Sequence, residues 1–193
     1  MPFGARRLRR EWGREAAMGV REEFLEKAKV ELGDLAEAGV VMAGNAFSQA
    51  LLLKGEPERG DAKLLEGPDG AALRAALKAL GYAPEDWVGL STCDAEGYPL
   101  VPGTLRLAIT TLDPSTVIAI DEPAAAALRE AYADELVDLE ALEAATLMPG
   151  VLARILGMRV MNLGGFEESL ADPKAKQVMW ARLKTLPPEG EPY

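Results

Sequence analysis

Histidine is absent from the 193 residues, and cysteine occurs once, at Cys93. Without imidazole there is no His-based catalytic triad, no imidazole general base and no His-ligated metal. A lone thiol excludes an internal disulfide framework and any metal site made of cysteines alone. Neither a metal nor a cofactor is therefore expected. Long apolar runs are also missing, so no segment qualifies as a membrane-spanning helix. A signal peptide would need an apolar core where Trp12-Gly13-Arg14-Glu15 stands. The expectation is a cytoplasmic, reduced protein with no membrane partner.

What is present is ordinary globular material, with 49% hydrophobic and 27% charged residues, enough for one domain with a full core. The charge is uneven. Residues 1–21 hold six arginines against Glu11 and Glu15, while the whole chain carries −10. An acidic body repels nucleic acid at long range, because non-specific affinity comes from neutralising phosphates with Lys and Arg. Residues 1–20 lack periodicity and read as a basic extension, either a frayed tail or an arm for an acidic surface. A single α/β domain is expected over 21–187, with a polar tail at 188–193.

Phe24, Leu25, Ala28, Leu32 and Leu35 repeat at helical spacing, giving a helix over 21–38 that Gly39 stops. Val40-Val41-Met42-Ala43 then reads as a strand buried on both faces of a parallel sheet, over 40–43. Its exit through Gly44-Asn45 suits a tight turn beside a ligand crevice, since open α/β sheets bind ligands beyond the carboxyl ends of their strands. Ala46 to Leu53 leads into a Gly-, Pro- and charge-rich connection over 54–70, long enough to be functional.

Further along, helices are expected over 70–80, 103–112, 123–132, 134–146 and 173–185, with 151–156 also helical. Strands are expected over 87–92, 116–120 and 158–163, the last broken by Gly164-Gly165. Strands alternating with helices imply a three-layer α/β/α sandwich around a mostly parallel central sheet of about four strands.

Four stretches, taken in order, carry a resemblance. They are the strand into Gly44-Asn45-Ala46, the segment Leu65-Glu66-Gly67-Pro68-Asp69-Gly70-Ala71-Ala72-Leu73, the block Leu112-Asp113-Pro114-Ser115-Thr116-Val117-Ile118-Ala119-Ile120 behind a helix, and Leu170-Ala171-Asp172-Pro173-Lys174-Ala175-Lys176 with Trp180 and Leu183-Lys184. From about residue 40 to 186 the chain resembles the uracil-DNA glycosylase superfamily, nearest in layout to its shorter bacterial and archaeal branches. That family's first motif is a strand ending in Gly followed by Glu, Asn or another polar residue. Its second is Phe-Val-Gly-x-x-Gly-x-x-Leu, and its last is His-Pro-Ser ahead of the closing segment.

The departures fall on functional positions. Anchored on Pro173, the family's His aligns with Gly165, its base-stacking aromatic with Leu65, and its base-reading Asn with Ser91 or Thr92. The iron–sulfur branch needs four cysteines, and Cys93 stands alone. By resemblance, Asn45 is the candidate catalytic residue, orienting water, although a plain turn-former also fits it. Gly44, Ala46, Leu65, Gly67, Ser91, Thr92, Gly164, Gly165 and Phe166 are the candidate ligand-binding residues. Ser48, with Lys54 the nearest base in sequence, is a weaker nucleophile candidate. Glu167 and Glu168 fit solvated first-turn charges as well as an acid/base pair. Cys93 fits packing better than reactivity.

Cleaving the bond between sugar and base leaves an anionic base that a donor must stabilise. Losing the donor, the stacking ring and the reading amide together argues against efficient uracil excision. The expectation is a uracil-DNA glycosylase-like protein with a degenerate site, non-catalytic or weakly catalytic, binding a nucleobase or nucleotide. One alternative is a divergent, active DNA glycosylase of base-excision repair acting on uracil-containing DNA through Asn45. A second is an interaction scaffold without ligand.

Overall fold

The computed structural model describes residues 30–55 and 63–190. The chain divides into two units, Met1–Ala38 and Gly39–Tyr193. In the first, a helix (α1) occupies 30–37, within the expected 21–38. Residues 21–29, the basic extension over 1–20, most of the long connection (56–62) and the end of the tail (191–193) lie outside the described residues.

The second unit runs β1 (Met42–Gly44), β2 (Ala50–Lys54), α2 (Pro68–Leu80), β3 (Val88–Ser91), α3 (Pro102–Leu112), β4 (Thr116–Ala119), α4 (Glu122–Ala131), α5 (Ala133–Val137), α6 (Leu142–Ala145), β5 (Leu152–Ile155), β6 (Met158–Asn162), α7 (Phe166–Ser169) and α8 (Pro173–Leu183). One six-stranded mixed sheet has the order β1-β3-β2-β4-β6-β5. Neighbours β3-β2-β4-β6 are parallel, and β1 and β5 close the two edges antiparallel. The α/β class is as expected, while the sheet has two more strands than the expected four.

Three expectations fail here for identifiable reasons. The run at 40–43 is not a central strand; β1 is a short, half-exposed edge strand running against β3. The central position belongs to β2, whose Ala50, Leu51, Leu52 and Leu53 are all at 0% exposure. Leucine favours helix, so local propensity hides this strand. Burying three leucines, at about 2 kcal/mol each, outweighs that preference. Residues 151–156 likewise form no helix. β5 pairs with β6 across a two-residue turn in which Leu156 and Gly157 both have positive φ (49° and 88°). Such a turn matches strand twist, but leucine at its first position conceals it from sequence, where Asn or Asp would announce it. The acidic helix over 134–146 is also divided, into α5 and α6.

The period-2 rule sorts the strand side chains onto two faces. Ala50, Leu52, Ile118 and Met161 share one core cluster with Leu73 and Leu77 of α2, Phe166 of α7, and Met179 and Leu183 of α8. The alternate residues Leu51, Leu53, Val117 and Ala119 are equally buried, and α4 packs on β2 and β4. Helices thus cover both faces. Asp121 starts α4 by accepting the Ala124 N–H at 2.8 Å, and Asp172 starts α8 by accepting from Lys174 and Ala175.

The amino edge of the parallel strands is closed by a buried polar clamp. Arg159, on β6, donates to Thr116 Oγ1 at 2.6 Å and to the Pro187 carbonyl at 2.8 Å, and pairs with Glu189 at 3.1 Å. The Tyr82 hydroxyl donates to the Leu186 carbonyl at 3.1 Å. These bonds tie the segment after α8 to the sheet. Burial pushes the Tyr82 phenol above its ordinary value of 10.0. The folded state then keeps that proton longer than the unfolded chain does. This contribution is fully present below pH 10 and is lost as pH rises through the folded value. Tyr82→Phe is expected to cost about 1 kcal/mol at pH 7 and to flatten the alkaline fall in stability. Urea unfolding midpoints between pH 8 and 11 check both; equal slopes in variant and wild type would refute the clamp's role.

Candidate functional site at the carboxyl edge

The parallel strands appear in the sheet with β2 inside and β3 and β4 on either side of it. The order in which strands are added therefore reverses between β2 and β4, and the crevice beyond their carboxyl ends is the position where such sheets bind ligands. Four exits meet there: Lys54-Gly55 from β2, Ser91-Thr92 from β3, Ile120-Asp121 from β4 and Asn162 to Gly165 from β6. Backbone bonds link them in sequence. Thr92 N–H donates to the Lys54 carbonyl at 2.9 Å, Ile120 N–H to Leu53 at 3.0 Å, and Phe166 N–H to Ile120 at 2.8 Å.

Lys54 is the central side chain of this edge. It falls on the same strand face as Ala50 and Leu52, so it points toward α2 and α7, and it is 3% exposed. A buried ammonium needs a charged partner. Asp69, in the first turn of α2, provides it at 2.7 Å, where the helix dipole also favours a carboxylate. Glu167 of α7 lies 3.9 Å from the same ammonium and is far more exposed. The cluster of one cation and two carboxylates runs from core to surface.

Gly55 faces the other way, toward α4. A Cβ there would sit 2.3 Å from the Ala124 nitrogen, so only glycine admits this approach. Its N–H donates to both oxygens of Asp121, at 2.9 and 3.0 Å. Asp121 therefore locks the end of β2 to the start of α4. Cys93 lies alongside, buried, with its sulfur 3.6 Å from the Gly55 carbonyl. After β6, the Asn162 side chain accepts from Gly164 at 2.7 Å and donates to the Leu147 carbonyl at 3.0 Å. Gly164 and Gly165 then turn the chain into α7 with φ of 71° and 100°.

Most of the expected binding residues meet at this edge: Gly67 at the N-terminus of α2, Ser91, Thr92, Gly164, Gly165 and Phe166. The Ser91 hydroxyl accepts from Cys93 N–H at 3.0 Å, and Thr92 is buried. Gly44, Asn45 and Ala46 are not among them. Gly44 pairs with Val88, the first residue of β3, and Asn45 N–H donates to the Trp87 carbonyl. They stand at the amino edge, because an antiparallel edge strand delivers its end to the opposite side from its parallel neighbours. The Asn45 side chain accepts from Phe47 N–H at 3.1 Å, the turn-forming role. Ser48 is buried next to this turn, donating to the Glu85 carbonyl at 3.3 Å. Leu65 is fully buried in the core cluster, with its carbonyl held by Arg74 at 2.7 Å, and offers no stacking surface.

Sequence reasoning missed Lys54 and Asp69 as a pair, and Gly55 and Asp121 as another. The available signal was a lysine and a glycine directly after four apolar residues. Among the described residues no group of three His, Cys, Asp or Glu side chains is arranged to hold a metal, and no helix is long and apolar enough to cross a membrane.

Removing one partner of a buried ion pair strands the other. Lys54→Met or Asp69→Asn alone is expected to cost about 3–5 kcal/mol, while the double change Lys54→Met/Asp69→Leu recovers most of it. Thermal or urea unfolding of the three variants measures this; additive losses would contradict a direct pair. No family model matches this chain, and no curated protein matches it.

Proposed function

We propose that this protein has a uracil-DNA glycosylase-like three-layer α/β/α fold whose carboxyl-edge crevice holds a nucleobase or nucleotide without efficient base excision. Several features support the fold. The first parallel strand is central, with its successors on both sides. The strand ending in Gly followed by an acid is β2 running into Gly55-Glu56, a better counterpart of that family's first motif than Gly44-Asn45. The Leu65 to Leu73 segment leads into α2 in the required order.

The observation that carries the functional reading is the replacement of the donor. Gly165, with φ of 100°, stands where the resemblance calls for His. The nearby buried cation, Lys54, is already held by Asp69 at 2.7 Å, with Glu167 at 3.9 Å. A departing base gains negative charge, and a cation committed to two carboxylates is poorly placed to stabilise it. Binding asks for less than catalysis. The backbone N–H groups of Gly55, Thr92 and Gly164 are already bonded within the protein. Carbonyl oxygens keep a second lone pair, and the more exposed Glu167 carboxylate stands beside them, leaving acceptors for the edge of a neutral heterocycle.

With Asn45 at the far edge, the active-glycosylase alternative loses its water-orienting residue. The acidic body weakens it further, since a strong grip on a flipped nucleotide rests largely on phosphate contacts. The ligand-free scaffold keeps no specific observation in its favour.

Incubation with single- and double-stranded uracil-containing oligonucleotides tests the proposal, alongside calorimetric titration with uracil and dUMP. Excision is expected at least about two orders of magnitude below an efficient glycosylase, with saturable binding of base or nucleotide that Glu167→Gln alters and Asn45→Ala leaves unchanged. Rapid excision, or no binding of either small ligand, would overturn it.

A further inference from the structure

A second feature is a partly open cavity of about 140 Å³ between α2, α7 and α8. Phe166, Leu170, Met179, Trp180 and Leu183 form its walls, with Ala76 on the α2 side. This lining is almost wholly apolar, and two of its members are aromatic. An apolar cavity of about 150 Å³ admits a benzene ring, and this one is in addition partly open to solvent on the Lys176 side. The space is therefore the size of one ring.

Two polar side chains reach it. Ser169 is satisfied internally, its hydroxyl donating to the Phe166 carbonyl at 2.6 Å. Lys176 is different: it is exposed and, among the described residues, pairs with no carboxylate. Trp180 follows it by four residues on α8, one turn along the same face. A further turn on, the Lys184 ammonium sits 5.4 Å from the centre of the Trp180 ring. Two cations thus flank the aromatic wall of a cavity in a protein of net charge −10. Of the two, Lys176 lines the mouth itself and offers an anion a direct partner there, with Glu167 and Glu168 of α7 and Asp172 at the start of α8 the acids on the adjoining elements.

From the ring-sized apolar volume and its cationic rim, we infer that this cavity binds a small monocyclic aromatic carboxylate, with the ring inside and the carboxylate on Lys176. Phe166 and Trp180 supply aromatic contacts to a ring, and the Met179 sulfur adds a polarisable one. Lys176 gives the carboxylate a charge-assisted hydrogen bond at the solvent boundary, where desolvation is small. The cavity shares α7 and its first residue Phe166 with the carboxyl-edge crevice but none of the charged residues there, and its test does not use what the crevice binds.

Benzoate, toluene and acetate, titrated separately into the full chain at fixed ionic strength, provide the test. Calorimetry gives affinity, and the Met179 methyl resonance, assigned through Met179→Leu, gives location. Benzoate is expected to saturate with a ring-current shift at Met179, toluene to bind about tenfold more weakly for want of the charge-assisted bond, and acetate not to bind. Lys176→Gln, at an exposed site compatible with folding, should bring benzoate down to the level of toluene. Ala76→Leu, which fills the cavity, should abolish both. No shift at Met179 with either ring, full benzoate affinity in Lys176→Gln, or an undiminished shift in folded Ala76→Leu would each overturn the inference.

Discussion

The ammonium of Lys54 arrives at the carboxyl edge of the sheet behind three leucines with no solvent exposure. Charge at such depth is tolerated only with a carboxylate in hydrogen-bond contact. Much of the surrounding geometry follows from that requirement. The first turn of α2 must bring Asp69 to the end of β2, and α7 must enter close enough to set Glu167 beside the same nitrogen. On the opposite face, Gly55 and Asp121 fasten the same strand end to α4. Both layers of helices are therefore registered against one strand terminus.

The two edges of the sheet do different work. At the amino edge, Arg159 and Tyr82 donate to carbonyls of the segment after α8 and Thr116 accepts from Arg159, a closed network. Closed networks of this kind rigidify. At the carboxyl edge the polar groups are graded from buried to exposed, and two consecutive glycines turn the chain at its rim. An edge with graded exposure and little side-chain bulk can admit a ligand; a sealed one cannot. This contrast is why the proposed ligand is placed at the carboxyl edge.

Legibility in the sequence tracked how far local signals agreed with tertiary context. α2, α3, α4 and α8 were readable because Pro, acids and Gly mark their ends and apolar residues repeat at helical spacing. β4 was readable because Thr-Val-Ile-Ala is both β-prone and continuously apolar. β2 was not, since Leu-Leu-Leu carries helix propensity and becomes a strand only by burial on both sides. That one omission shifted the expected crevice to Gly44-Asn45, on an edge strand of opposite direction. The glycine pair after β6 and the Ser91-Thr92 exit do stand at the carboxyl edge, because they follow strands that run parallel to β2 and β4. No local pattern in the sequence pairs Lys54 with Asp69, fifteen residues away across a long connection.

Mapping amide chemical-shift changes on isotopically labelled protein as dUMP is added tests the central claim most directly. Changes concentrated at Gly55, Thr92 and the Gly164 to Glu167 amides, with Asn45 and Ala46 unmoved, are the expected result. Changes centred on Asn45 and Ala46, or none at saturating nucleotide, would contradict a nucleobase crevice organised around Lys54.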